Sequence, residues 1–207
     1  MKKNSFIIFF FVLVFISCKE EGEKAADSSG HTNHTTAAAG LTYADSVNAG
    51  IIPEDTLKGS PHRVAMGNIG SSHVHIEYGS PGVKGRIIWG GLVPLKQVWV
   101  AGAHSATSVE FGKEVTIGDK LIAPGKYAFF AIPDSTEWVL ILNKNFKQHL
   151  ADDYKIEDDI VRVSVKPQTN ESSVQRLTYS VKELEAGKGE IQLQWEKVKL
   201  SLVVVAK

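Results

Sequence analysis

Short apolar runs alternate with turn residues along the chain from Arg63 onward, at intervals of about ten positions. The runs are rich in Val, Ile, Tyr, Phe and Trp, which favour strands, and Gly, Pro and Asp separate them. Within residues 73–78 the alternation is strict, so Val74, Ile76 and Tyr78 share one face, opposite two histidines and a glutamate. This pattern predicts a half-buried strand.

A two-residue turn, Gly118-Asp119, joins residues 114–117 to 120–122 and predicts a type II′ hairpin. Further strands are predicted at 126–132, 138–142, 160–165, 174–181, 190–196 and 198–205. About ten strands exceed what one flat sheet holds. The sequence therefore predicts an all-β fold, a two-sheet antiparallel β-sandwich of jelly-roll or immunoglobulin-like type, with at most one short helix, at 145–154.

The N-terminus has a different pattern, with two lysines followed by an unbroken apolar run at 6–16. The run is shorter than the roughly 20 residues that a membrane-spanning helix needs, which favours a signal peptide at 1–17. Ser17-Cys18 resembles a lipobox, and Cys18 is the only cysteine of the chain. We expect Cys18 to carry fatty acyl chains such as palmitate and to anchor the protein to a membrane.

The chain then divides into a disordered tether at 18–40, a lead-in segment at 41–62 and the β-sandwich domain at 63–207. Lys19-Glu20-Glu21 resembles a short signal that exports lipoproteins to the surface of Bacteroidetes-like bacteria. The expected location is the cell envelope, anchored to the outer membrane at its periplasmic face or at the cell surface.

Charge narrows the possible partners. The chain has 23 basic and 23 acidic residues, and loss of Lys2 and Lys3 with the signal peptide leaves 21 against 23. Nucleic-acid binding depends on clustered Lys and Arg that neutralise phosphates, and the sequence shows no such cluster. Nucleic acid is therefore not expected as a partner, whereas a small-molecule, sugar or protein ligand stays open.

Residues 78–86 and 89–94 resemble a bacterial family catalogued as domain of unknown function 2911. The resemblance continues through Gly102-Ala103 and Ala106-Thr107, then 123–127, and extends nearly to the end of the chain. It implies an exported protein and brings no reaction with it. This chain departs from the family pattern with Val100 and Ala101 in place of Arg and Thr, and with His104 where Asn is usual.

The histidine that replaces the family's Asn suggests a metal site. His73 and His75 point to the same side of a strand, and His104 from a neighbouring segment would complete a three-histidine set for copper or zinc. The alternative is that His73 and His75 line a solvated strand face and His104 fills a polar loop.

Arg86 defines a second candidate site. With Trp89 and Trp99 it could bind a carboxylate or a sugar between aromatic walls, or its stem could be buried beside an acid at the core edge.

Catalytic motifs such as Gly-x-Ser-x-Gly and His-Glu-x-x-His are absent from the sequence. The expected function is a non-catalytic binding or structural module of the envelope. A metal-binding lipoprotein and a hydrolase of envelope or extracellular polymers are the two alternatives.

Overall fold

A computed structural model describes residues 40–206 of the protein. The predicted signal peptide, Cys18 and the tether up to residue 39 lie outside the described residues. None of the described helices is long and apolar enough to cross a membrane.

Ten strands and one α-helix make up the described chain. The helix, α1, is Tyr43–Asn48. The strands in chain order are β1 His62–Ile69, β2 Ser72–Gly79, β3 Thr107–Phe111, β4 Val115–Ile117, β5 Lys120–Ile122, β6 Gly125–Ile132, β7 Trp138–Asn143, β8 Asp159–Val165, β9 Gln168–Glu185 and β10 Lys188–Ala206. A short 3-10 turn, Ile156–Asp158, precedes β8.

The strands form two sheets that pack face to face. One sheet has six strands in the order β1-β2-β3-β6-β7-β8, and the other has four in the order β5-β4-β10-β9. Every pairing is antiparallel. The predicted two-sheet β-sandwich of about ten strands is confirmed, and the sheets do not close into a barrel.

The alternation in β2 shows why these residues form a sandwich. Val74, Ile76 and Tyr78 have at most 2% of their surface exposed and join the core between the sheets. Their neighbours His73 and His75 face away from the core, because successive side chains of a strand point to opposite faces. Burial of one face of each sheet supplies the hydrophobic stabilisation.

Two predicted elements are wrong. The runs at 190–196 and 198–205 form one continuous strand, β10, because Glu196 adopts a left-handed conformation with φ of 53° and absorbs a bulge against β9. Pairing resumes beyond the bulge with Val198 opposite Thr169. Residues 190–205 contain no Gly or Pro, so the sequence carries no local signal of a bulge at Glu196.

The predicted helix at 145–154 is the second error, since the one α-helix lies in the lead-in segment. Asn143 accepts a hydrogen bond from the Asn145 amide (2.9 Å), and the Gln148 side chain donates to the Asn145 carbonyl (2.6 Å). The backbone of Leu150 donates to the carbonyl of His104 (2.7 Å). These bonds occupy the backbone groups that a helix would use for its own ladder.

Strand β9 contains a wide bulge at 175–177, where it leaves β10 and pairs with other segments. The residues pairing with β10 on either side are Val174, opposite Glu196, and Thr178, opposite Gln194. Within the bulge the Asn48 side chain accepts from the amide of Arg176 (2.7 Å) and donates to its carbonyl (2.9 Å). Helix α1 is thereby fastened to the sandwich.

The Arg176 side chain is wholly buried at this bulge. Its guanidinium forms an ion pair with Asp55 (2.8 Å), whose side chain is 5% exposed. It also donates to the carbonyls of Ser80 (3.0 Å), Gly59 (3.3 Å) and Leu57. A buried charge is tolerated only when it is paired and hydrogen-bonded, so these contacts join the lead-in segment to both sheets.

Replacing Asp55 tests this role. Asp55→Asn keeps the side-chain shape but leaves Arg176 buried without its counter-charge, and we expect a loss of about 3–5 kcal/mol in the free energy of unfolding. Urea denaturation measures this loss. In the control, Lys188→Gln removes an exposed ion pair with Glu185 and should cost less than about 1 kcal/mol. Equal losses in the two variants would contradict the assignment.

Candidate functional site

A concavity lies on the outer face of the six-stranded sheet. It encloses about 390 Å³ between β2, β6 and two loops, at 103–106 and 146–147. Among the side chains that line it are His62, Glu77, His104, Lys126, Phe146 and Lys147. We call it the cationic cleft, because its charged residues are two lysines against a single glutamate, beside two histidines.

A second, smaller core forms one wall of the cleft. Val100, Ala106, Ala128, Phe130 and Ile141 are buried on the outer face of the sheet, with Phe146 packed against them. This cluster covers the half of the outer face that β6 and β7 supply, while the polar side of β2 stays uncovered. The cleft lies at the boundary between the covered and uncovered halves of this outer face.

Glu77 is the acidic side chain of the cleft, and its neighbours stabilise its ionised form. It accepts a hydrogen bond from the Lys126 ammonium (2.8 Å) and lies 3.3 Å from Nε2 of His75. The hydrogen bond from Lys126 lowers the pKa of Glu77 more than partial burial raises it, and His75 lowers it further. Glu77 therefore remains ionised to lower pH than an ordinary glutamate.

Phe146 is contacted by both lysines of the cleft. The ammonium of Lys126 lies 5.8 Å from the ring centroid and that of Lys147 lies 5.7 Å from it. Both distances are within the range of cation–π attraction. The ring thereby keeps two positive charges at the rim, although Lys126 is also bound to Glu77. Within residues 40–206 Lys147 forms no ion pair.

The 103–106 loop is fixed by unusual backbone geometry. Ala101 and His104 have positive φ values of 49° and 68°, a conformation that costs about 1–2 kcal/mol in a residue other than glycine. The Ala101 carbonyl accepts hydrogen bonds from Thr107 (3.1 Å) and from the buried Tyr179 hydroxyl (2.7 Å). Burial raises the pKa of Tyr179 well above its ordinary value, so the hydroxyl stays a donor.

Gly79 allows this loop to approach the sheet. A Cβ atom at this position would lie 2.3 Å from the Ala103 carbonyl oxygen, so any other residue would displace the loop from the cleft wall.

The loop that carries Phe146 and Lys147 is anchored by Asp159. Its carboxylate accepts from Asn143 (2.8 Å), from the Tyr154 hydroxyl (2.7 Å) and from Nε of Arg162 (2.6 Å). Burial, with the bond to Asp159, raises the pKa of Tyr154. The cluster therefore ties both ends of the loop to the start of β8.

Two of the three predicted metal ligands, His73 and His75, lie on β2, and the third, His104, lies in the 103–106 loop. His73 bonds to Asn68 (3.0 Å) and its ring centroid is 6.5 Å from that of His75, which contacts Glu77. His104 lines the cleft with Glu77. In the described part of the chain no group of three or more His, Cys, Asp or Glu side chains is arranged to hold a metal ion.

Arg86, Trp89 and Trp99 also occupy different environments. Trp89 and Trp99 pack together, with centroids 5.7 Å apart, and both contact Trp195. Trp138 packs against Trp89 at 4.7 Å, so all four tryptophans of the chain form one cluster. Arg86 is exposed and donates to the carbonyls of Gly82 and Val83 in its own loop.

Sequence reasoning missed the cationic side chains of the cleft. Lys126 could have been found, because alternation along β6 places it on the same face as Ala128 and Phe130. Lys147 carried no such signal, since its segment was predicted as a helix. His62 was missed because the domain was predicted to begin one residue later.

The fold and cleft together define a two-sheet antiparallel β-sandwich with a solvent-accessible cleft on one sheet, lined by two lysines and one glutamate. A family model described as protein of unknown function, DUF2911, matches residues 60–204, and the chain belongs to that family. No curated protein and no solved structure matches the chain. The matched range contains Arg176 and the whole cleft, but Asp55, which neutralises Arg176, lies before it.

The state of Glu77 provides a test of the cleft's electrostatics. Lys126→Met removes the hydrogen bond that lowers the pKa of Glu77, so this pKa should rise toward or above the ordinary 4.5. Carbon-13 NMR of the Glu77 carboxyl against pH measures it. The stabilisation from an ionised Glu77 is complete above that ordinary value and is lost as pH falls through the lowered, folded-state pKa.

Lys147→Met is the matched control, because its ammonium forms no bond with Glu77, and it should leave this titration nearly unchanged. A similar rise in both variants would mean that general field effects, not the bond from Lys126, set the pKa of Glu77.

Proposed function

We propose that this protein is a lipid-anchored binding module of the cell envelope whose cationic cleft takes a small anionic ligand, a carboxylate or a phosphate. The excess of lysine over acid in the cleft carries the proposal. The one acid, Glu77, is already neutralised by Lys126, so the positive charge of Lys147 is left for a ligand.

The chemistry of the rim fits an anion. Lysine ammonium groups are compact charges that bind carboxylate and phosphate oxygens, and the hydroxyls of Ser105 and Ser108 add polar groups to the same surface. Phe146 supplies an apolar wall for the body of the ligand. A cleft of about 390 Å³ suits a molecule of small-metabolite size.

The envelope location is supported by the sequence. The lysines at the start of the chain, the apolar run at 6–16 and Cys18 after Ser17 form the pattern of a lipoprotein signal. Residues 18–40 then form the tether between the lipid and the sandwich, and the lipid lies in the outer membrane of a Bacteroidetes-like bacterium. Mass spectrometry of the mature protein should find an acylated N-terminal Cys18; an unmodified thiol would refute the anchor.

The cleft favours binding over hydrolysis. Glycoside hydrolysis generally uses two carboxylates that flank the bond to be cleaved. Among the residues that line the cleft Glu77 is the one carboxylate, and its bond to Lys126 opposes a role as a proton donor.

Titration of inorganic phosphate at low ionic strength, followed by calorimetry, tests the cleft. We expect saturable binding that Lys147→Gln weakens about fivefold, since an exposed ion pair of good geometry contributes about 1 kcal/mol. Lys144→Gln, which removes an exposed lysine outside the cleft, should leave the affinity within about twofold. Chloride at equal ionic strength controls for screening.

Two results would overturn the proposal. One is that the Lys147 and Lys144 variants weaken binding equally, which would indicate a diffuse surface effect. The other is that neither phosphate nor acetate gives a saturable signal with the native chain.

A further inference from the structure

A loop at 84–96 exposes three large aliphatic side chains. It lies far in sequence from the cleft residues of β6. Ile87 is 78% exposed, Leu92 46% and Leu95 39%. Ile88 and Val93 of the same loop are each only 2% exposed and belong to the core. Ile88 and Val93 therefore anchor the loop in the core, while its exposed aliphatic side chains present apolar surface to solvent.

Hydrogen bonds within the loop hold the exposed residues in place. The amide of Leu92 donates to the carbonyl of Ile87 (3.0 Å), and that of Val93 donates to Ile88 (2.8 Å). These bonds bring Ile87 and Leu92 side by side. A Cβ at Gly91 would lie 2.4 Å from the Ile87 carbonyl oxygen, so the close turn requires glycine. The apolar surface is thus preformed.

Two cationic residues, Lys84 and Arg86, precede Ile87 in the loop. A small pocket of about 240 Å³ beside it is lined by Gly59, Ser60, Gly82, Lys84 and Arg86, without an acidic side chain. Lys84 and Arg86 donate to the carbonyls of Leu57 and Gly82, respectively, which orders both side chains, and within residues 40–206 neither forms an ion pair. Two glycines and a serine leave room in the pocket for a phosphate group.

One acid lies beside the pocket, since a Cβ at Gly82 would be 2.4 Å from the Asp55 carboxylate, but Asp55 is already paired with the buried Arg176. Two further acids lie near the other end of the loop. The amide of Lys96 donates to the carbonyl of Pro133 (2.7 Å), which places Lys96 next to the β6–β7 loop with Asp134 and Glu137. The Asp134 carboxylate accepts hydrogen bonds from Ser135. The positive side of the 84–96 loop is therefore the side of Lys84 and Arg86, where Ile87 is most exposed.

We infer that the 84–96 loop docks on an anionic lipid surface, with Ile87 and Leu92 entering the acyl boundary and a lipid phosphate in the pocket of Lys84 and Arg86. Exposed aliphatic residues next to cations are the combination that binds membrane interfaces, since apolar burial adds to attraction by anionic headgroups. A soluble phosphate would use the pocket alone and leaves the exposed aliphatic residues without a role. This inference is independent of the cationic cleft.

A fluorophore at position 87 tests the contact locally in the full chain. Cys18→Ser with Ile87→Cys gives a single thiol, labelled with an environment-sensitive dye. Vesicles of phosphatidylcholine with phosphatidylglycerol should shift its emission to the blue, and spin-labelled lipid should quench it. Vesicles of phosphatidylcholine alone should produce a smaller change at the same lipid concentration.

Matched variants separate this contact from attachment through the N-terminus. A label at Ile156, which is 57% exposed in the 3-10 turn, should not shift. Adding Lys84→Gln should raise the lipid concentration for half the change about fivefold, because each basic residue near the surface contributes about 1 kcal/mol. Lys120→Gln on β5 should leave it unchanged.

Three outcomes would overturn the inference. The label at 87 does not respond to anionic vesicles, the labels at 87 and 156 respond equally, or inorganic phosphate alone reproduces the full shift at 87. Circular dichroism of each variant checks that the sandwich is intact, and an intact variant with no response counts against docking.

Discussion

The buried guanidinium of Arg176 is the constraint on which much of the architecture depends. A cation without solvent must be met by fixed partners, and here the partners come from two segments: Asp55 with the carbonyls of Leu57 and Gly59 in the lead-in, and the Ser80 carbonyl after β2. The bulge of β9 also lets the amide of Leu177 donate to the carbonyl of Pro81 (3.0 Å). Residues 81–83 thereby cover the edge of β9, and the loop that follows them starts from a fixed point.

This arrangement links the two candidate surfaces to one scaffold. The chain leaves β2 at Gly79, passes Arg176, forms the 84–96 loop and then covers the outer face of the six-stranded sheet before β3 begins. Val100 and Ala106 in the last part of this excursion build the second core that walls the cleft. One long connection between two neighbouring strands therefore supplies both the aliphatic loop and one side of the cationic cleft, while the sheets beneath stay regular.

The local pattern of the sequence was sufficient to predict the sandwich but was not sufficient to predict the cationic cleft. Strand β2 and the β4–β5 hairpin follow from alternation and from Gly118, whose φ of 62° suits the predicted turn. Arg176 lies in a run of strand-forming residues, and nothing near it in sequence indicates burial, because its acid is 121 positions away. The cleft could not be predicted for the same reason, because β2, β6 and the loop after β7 are far apart in sequence and meet only in the folded sheet. Glu77 lies on the predicted polar face of β2, whereas the position of Lys147 in the cleft depends on hydrogen bonds between its loop and backbone groups that are distant in sequence.

The tryptophan cluster has a consequence for spectroscopy of this protein. The four indoles form one cluster in which Trp89 contacts the other three, and Trp99 and Trp195 are nearly stacked at an interplanar angle of 21°. Their excited states therefore exchange energy, and their emission reports one location. Trp195 comes from the four-stranded sheet and Trp138 from the six-stranded sheet, so that location is the junction between the layers. Intrinsic fluorescence therefore follows separation of the two sheets.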